Sequence, residues 1–191
     1  MGGTVANWSV ASAADNEAGI GGAGVSQVEW SGCGRYLYAV ERKSRGVLVY
    51  DVRVTGKLVA WLEGRDADTN QRMAVDVTAN GEMWAGGTNG AVKSWRDVGR
   101  KEGAHAFDYS WQAYGDDTVV GGMSMHSCGS VMATASGSRR ELALNFETDS
   151  SSDESSDDDD GNGSQTSRIN RTAKASTTTT EDNSIKIWNL T

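Results

Sequence analysis

The chain repeats itself with a period in the forties, and that constrains its fold more than any other feature. Three segments align: VEWSGCGRYLYAVERKSRGVLVYD, VDVTANGEMWAGGTNGAVKSWRD and MSMHSCGSVMATASGS, the third resuming at DNSIKIWNLT. Their turn glycines, Gly34, Gly81 and Gly129, lie 47 and 48 residues apart. Tyr50 and Trp95 end the first two repeats 45 residues apart, and Trp188 follows Trp95 by 93, about two periods. A β-branched residue (Val47, Val92, Ile185) stands three positions before each aromatic. A unit this small cannot bury its apolar face alone, so neighbours must stack. This period with this aromatic spacing is the signature of a β-propeller blade.

Within the repeats the strands read directly. Innermost strands are expected at 28–30, 74–77 and 123–125, second strands at 35–40, 82–85 and 131–134, and third strands at 47–50, 91–95 and 184–188. Outer strands are expected at 58–62 and 110–114. Each first turn ends on glycine, which supplies the positive φ of a tight hairpin. No helical periodicity of comparable length competes. The fold class is all-β, a partial propeller of about three blades. Rings of this kind take about four to eight blades, so the segment is expected to be the end of a longer ring.

Composition sets the boundaries. Residues 1–24 are small, Gly/Ala-rich and unpatterned, and are expected to be disordered or a remnant of a preceding loop. Blades fill 25–140, and 183–191 is the last blade's terminal strand. Between them, 141–182 carries SSSDESSDDDD and STTTT with few large apolar residues, which reads as a disordered acidic insertion. The insertion holds eleven acids and three bases, so it accounts for the whole net charge of −8; the remainder balances fifteen acids against fifteen bases. A polyanion beside a phosphate-binding face would compete with nucleic acid.

Chemistry-bearing motifs are weak. Gly19-Ile20-Gly21-Gly22-Ala23-Gly24 matches G-x-G-x-x-G, yet a strand follows where the dinucleotide fingerprint needs a helix. Cys33, Cys128, His105 and His126 show no zinc-ligand spacing. Cys33 and Cys128 stand one residue before equivalent turn glycines, which makes them a feature of the repeat. No nucleophile has a base at a motif spacing. The expectation is a non-enzyme with no catalytic residue, metal or cofactor. No run of 18 apolar residues is present, and two cysteines do not make a disulfide framework. A soluble intracellular protein with no membrane partner is expected.

Two basic stretches remain. Glu41-Arg42-Lys43-Ser44-Arg45-Gly46 joins second and third strands of the first repeat, and 64–72 joins the first repeat to the second. In a propeller both connections emerge on one face, around the channel mouth. That gathers Arg42, Lys43, Arg45, Arg65 and Arg72, with Asn70 and Gln71 as base readers. Guanidinium forks match phosphate oxygens, so these residues are the candidate RNA contacts.

The runs VEWSGCGRYLYAVERKS, GVLVYDVRVTGKLVAWLEGR, TNQR, GEMWAGGTNGAVKSW and ATASGSR resemble the fungal relatives of the telomerase Cajal body protein family, whose members are WD-repeat propellers. Gly32 and Ser127 stand where that family often has proline, and Asn189 where it has aspartate. The resemblance implies a scaffold that binds small nuclear RNA, of the box H/ACA Cajal-body class or telomerase RNA, alongside box H/ACA or splicing ribonucleoprotein proteins. It implies a nuclear site, a Cajal body or its nucleoplasmic equivalent, with the cytoplasm a second location, and no small-molecule substrate. The alternative function is a protein–protein adaptor in a splicing or other nuclear complex.

Overall fold

In the computed structural model, residues 2–11, 13, 17–137 and 183–190 are described. The insertion expected at 141–182 lies outside them. In chain order the strands are β1 (Val25–Trp30), β2 (Tyr36–Glu41), β3 (Gly46–Asp51), β4 (Leu58–Glu63), β5 (Val75–Val77) and β6 (Met83–Gly86), then β7 (Ala91–Trp95), β8 (Gly103–His105), β9 (Tyr109–Gln112), β10 (Val120–Met125), β11 (Val131–Ser136) and β12 (Ile185–Asn189).

They form three sheets in the orders β1-β2-β3-β4-β8, β5-β6-β7-β9 and β10-β11-β12. Apart from β8 at the edge of the first, each sheet is an antiparallel meander of one repeat, and the registers coincide. Leu37 faces Tyr50, Met83 faces Trp95, and Met132 faces Trp188. The aromatic that ends each repeat therefore sits opposite the start of the second strand in all three. The turn glycines adopt φ of 67°, 83° and 74°, as a tight hairpin requires. Sequence reasoning did not find β8, which pairs in parallel with β4.

Apolar residues on alternating strand positions seal the sheets together. Between the first two lie Tyr38, Val40, Val47, Val49 and Leu62 with Met83, Ala85 and Trp95. Trp84, Val92, Tyr114, Val120 and Met132 fill the second seam. Burying each such side chain contributes about 1.5–3 kcal/mol. Polar bonds cross the seams as well: Gln27 bonds the Val75 backbone through both its amide atoms, at 2.9 and 3.1 Å, and Trp95 Nε1–H donates to Glu63 O at 3.1 Å. The innermost strands lie beside one another, β1 with β5 and β5 with β10. This is the radial arrangement of a propeller, and the all-β partial-propeller reading holds.

Some described residues before β1 pack on the first sheet. Trp8, Val10, Ala13, Ala18 and Ile20 cover Ala39, Leu48 and Tyr50 on the outer face of the first sheet. Trp8 and Tyr50 stand 5.5 Å apart, ring to ring. Gly46 shows how close the chains approach: a Cβ there would meet the Leu62 carbonyl and the Ile20 side chain. No helix among the described residues is long and apolar enough to cross a membrane.

Candidate nucleic-acid interface

The two basic loops meet because their backbones are sewn together. Lys43 N–H donates to Thr69 O at 3.2 Å, Arg65 N–H to Arg45 O at 2.9 Å, and Arg45 N–H to Ile20 O at 2.8 Å. Lys43 takes φ 51°, which folds the β2–β3 loop back on itself. Arg42, Lys43, Arg45, Asn70 and Arg72 are exposed on this face, and Gln71 is half-buried. The cationic partners in ion pairs among the described residues are Arg53, Lys57, Lys93, Arg96 and Arg100. Arg42, Lys43, Arg45 and Arg72 are thus four exposed cations without an ion pair among the described residues.

Arg65 departs from the expectation. It is only 2% exposed, and its Nη2 donates to Met73 O at 2.9 Å. Its Nε and Nη1 have no hydrogen-bond partner among the described residues. Desolvation pushes its pKa down to about 10. Arg65 is therefore not one of the exposed cations of this face. It lines an open cavity of about 500 Å³ with Arg45, Glu63, Gly64, Asp68 and Thr88. Asp66 lines it too, but is held by Lys93 at 2.7 Å and by Asn89 at 3.0 Å.

Another surface lies at the opposite strand ends, beside the Gly129 turn. Glu82, Trp84, Arg96, Tyr109, Trp111 and Trp188 line a groove of about 670 Å³. Trp111 meets Trp84 at 5.5 Å and Trp188 at 6.0 Å, both edge to face, while Tyr109 lies 5.9 Å from Trp111. Trp188 is legible in the sequence as a repeat aromatic; Trp84, Trp111 and their convergence with it are not.

The cysteines behave as repeat equivalents. Cys33 and Cys128 are both exposed, with Sγ 3.4 Å from Ser31 Oγ and 3.3 Å from Ser130 Oγ respectively. The Ser130 hydroxyl, with its backbone N–H and His126, holds the Cys128 thiol down to about 6. No cluster of three metal-ligating side chains occurs among the described residues.

Three repeated antiparallel units, set side by side through their innermost strands, define blades of a WD-repeat β-propeller. Comparison with known proteins then supports the likeness to the telomerase Cajal body protein family. The chain is 30% identical over 107 residues to telomerase Cajal body protein 1 of Rattus norvegicus and 33% identical over 108 residues to that of Homo sapiens. Each match covers 56% of this chain. It is also 38% identical over 84 residues, 44% of its length, to the guanine nucleotide-binding protein negative regulator 1 of Schizosaccharomyces pombe. The chain spans about a fifth of the length of these curated relatives, 19–21%. No family model matches it.

Proposed function

We infer that the chain is part of a non-enzymatic WD-repeat scaffold that binds small nuclear RNA, of the box H/ACA Cajal-body class or telomerase RNA. It acts in the biogenesis and nuclear localisation of ribonucleoprotein particles. The observation that carries this reading is the set of four exposed cations, Arg42, Lys43, Arg45 and Arg72, without an ion pair among the described residues, on two hydrogen-bonded loops. Such a set suits a single-stranded RNA loop: guanidinium forks hold phosphates, and exposed Asn70 reaches a splayed base. The name of the relatives at 30–33% identity supports the choice of RNA. Crosslinking in cells, with sequencing of the bound RNA and mapping of the crosslinked peptides, tests it. Small nuclear RNAs crosslinked within 42–45 and 69–72 are expected; recovery of no RNA class above background contradicts the reading.

A protein adaptor is the second reading. The aromatic groove of Trp84, Trp111 and Trp188 favours it, since converging tryptophans are common anchors of protein interfaces. On that reading Trp111→Ala releases the protein partners, and changes in the basic loops release none.

A further inference from the structure

Arg65 is a cation taken out of water with no ion-pair partner among the described residues. Its side chain is buried, one nitrogen bonds Met73 O, and Nε and Nη1 lack acceptors among the described residues. A buried guanidinium left so incomplete costs stability, and this one forms the wall of an open cavity of about 500 Å³. That volume is within the range of small-ligand sites. Four separate segments build the cavity: residues 19–20, the loop ending at Arg45, the 63–68 connection, and the turn at Thr88. Arg45 N–H bonds Ile20 O at 2.8 Å, Arg65 N–H bonds Arg45 O at 2.9 Å, and Thr88 N–H bonds Asp66 O at 2.7 Å, which fixes the four relative to one another.

The charge pattern selects the ligand. A phosphate would suit Arg45 and Arg65, but it would also meet the carboxylates of Glu63 and Asp68 in the same lining. Asp66 is already satisfied by Lys93 and Asn89. The cavity therefore offers two opposed kinds of partner, guanidinium donors and carboxylate acceptors. A guanine base has that polarity in one planar ring. Its O6 and N7 accept on one edge, and its N1–H and N2–H₂ donate on another; arginine to O6/N7 is the commonest specific base contact.

We propose that the Arg65 cavity is a base-recognition pocket for an unstacked guanine, with Arg65 turning from the wall to O6 and N7 and Glu63 or Asp68 accepting from N1–H and N2–H₂. The pocket lies beside the exposed cations Arg42, Lys43 and Arg72, which hold the flanking phosphates. This inference rests on the RNA reading above and adds which base is read and by which residues.

The test uses the intact chain and free nucleosides, so that the pocket is assayed apart from the phosphate contacts. Guanosine, adenosine, inosine (no N2 amino group) and 7-deazaguanosine (no N7 acceptor) are titrated by saturation-transfer NMR. Guanosine is expected to bind at least about tenfold tighter than adenosine, with losses of about 5–10-fold for inosine and for 7-deazaguanosine. Arg65→Lys is expected to abolish the preference. Because Arg65 is buried, exposed Asp68→Asn serves as the second variant, and a double variant with Glu63→Gln is expected to erase the inosine–guanosine difference without loss of the folded spectrum. Equal binding of all four nucleosides, or displacement of guanosine by millimolar inorganic phosphate, overturns the proposal. A U-only octanucleotide separates the two readings. If it binds with salt dependence and one central G adds nothing, the pocket fails and the loop reading stands; guanosine selectivity without octanucleotide binding gives the reverse.

Discussion

Replacing Thr134 by valine removes one hydroxyl and almost no volume, and it probes the link between the third repeat's two parts. Thr134 is 1% exposed. Its Oγ1 accepts from Trp188 Nε1 at 2.8 Å, and it lies 2.9 Å from the Tyr114 hydroxyl. Tyr114 keeps an acceptor in Thr134→Val because its OH also reaches the Thr134 carbonyl at 2.9 Å. Trp188 Nε1–H does not keep one. An orphaned donor costs about 1–3 kcal/mol, and the half-buried position of Trp188 places the loss at about 1–2 kcal/mol. Denaturant unfolding of the intact chain measures it. Thr134→Ser, which keeps the hydroxyl, is expected to lose less than Thr134→Val. The reverse order, or no loss for valine, would refute the pairing of β11 with β12 through this bond.

Other consequences are as direct. Trp8→Ala removes the ring packed on Tyr50 and is expected to cost about 1–2 kcal/mol in denaturant unfolding, below the 3–5 of a fully buried aromatic because Trp8 is half-exposed. Alkylation of Cys128 should rise with pH around a midpoint near 6, because its acid form is disfavoured by the Ser130 bond. In urea that midpoint is expected to return to about 8.5, and Ser130→Ala should raise it in the native chain. Deleting 149–160 removes seven acids and is expected to tighten RNA binding at low salt, where screening is weak, and to change little at high salt; unchanged affinity at both salts would show that the segment's charge plays no part.

The repeat was legible because its markers are local. A glycine turn and an aromatic at fixed spacing each report their own strand, and the observed registers Leu37–Tyr50, Met83–Trp95 and Met132–Trp188 follow. What stayed hidden depends on distant partners. β8 is three residues long and exists through parallel pairing with β4, which no short alternation signals. The residues before β1 looked unpatterned because Trp8, Ala13 and Ile20 are spaced for covering a sheet, with no period of their own. Arg65 reads as one more loop cation. Its burial is decided by the neighbouring sheet and by the Met73 carbonyl eight residues on, and composition carries neither. Arg42, Lys43, Arg45 and Arg72 were placed together by propeller topology alone, and the hydrogen-bonded loops bring them onto one face.

The RNA-scaffold account is tested most directly by the salt dependence of binding to a single-stranded small nuclear RNA loop. The intact chain is compared with Arg42→Ala/Lys43→Ala/Arg45→Ala, a variant confined to exposed side chains. Each phosphate contact on single-stranded nucleic acid contributes about 0.7 to the slope of log K against log salt. Three lost contacts are therefore expected to flatten the slope by about 2 and to weaken binding most at low salt. An unchanged slope with unchanged affinity would contradict the account.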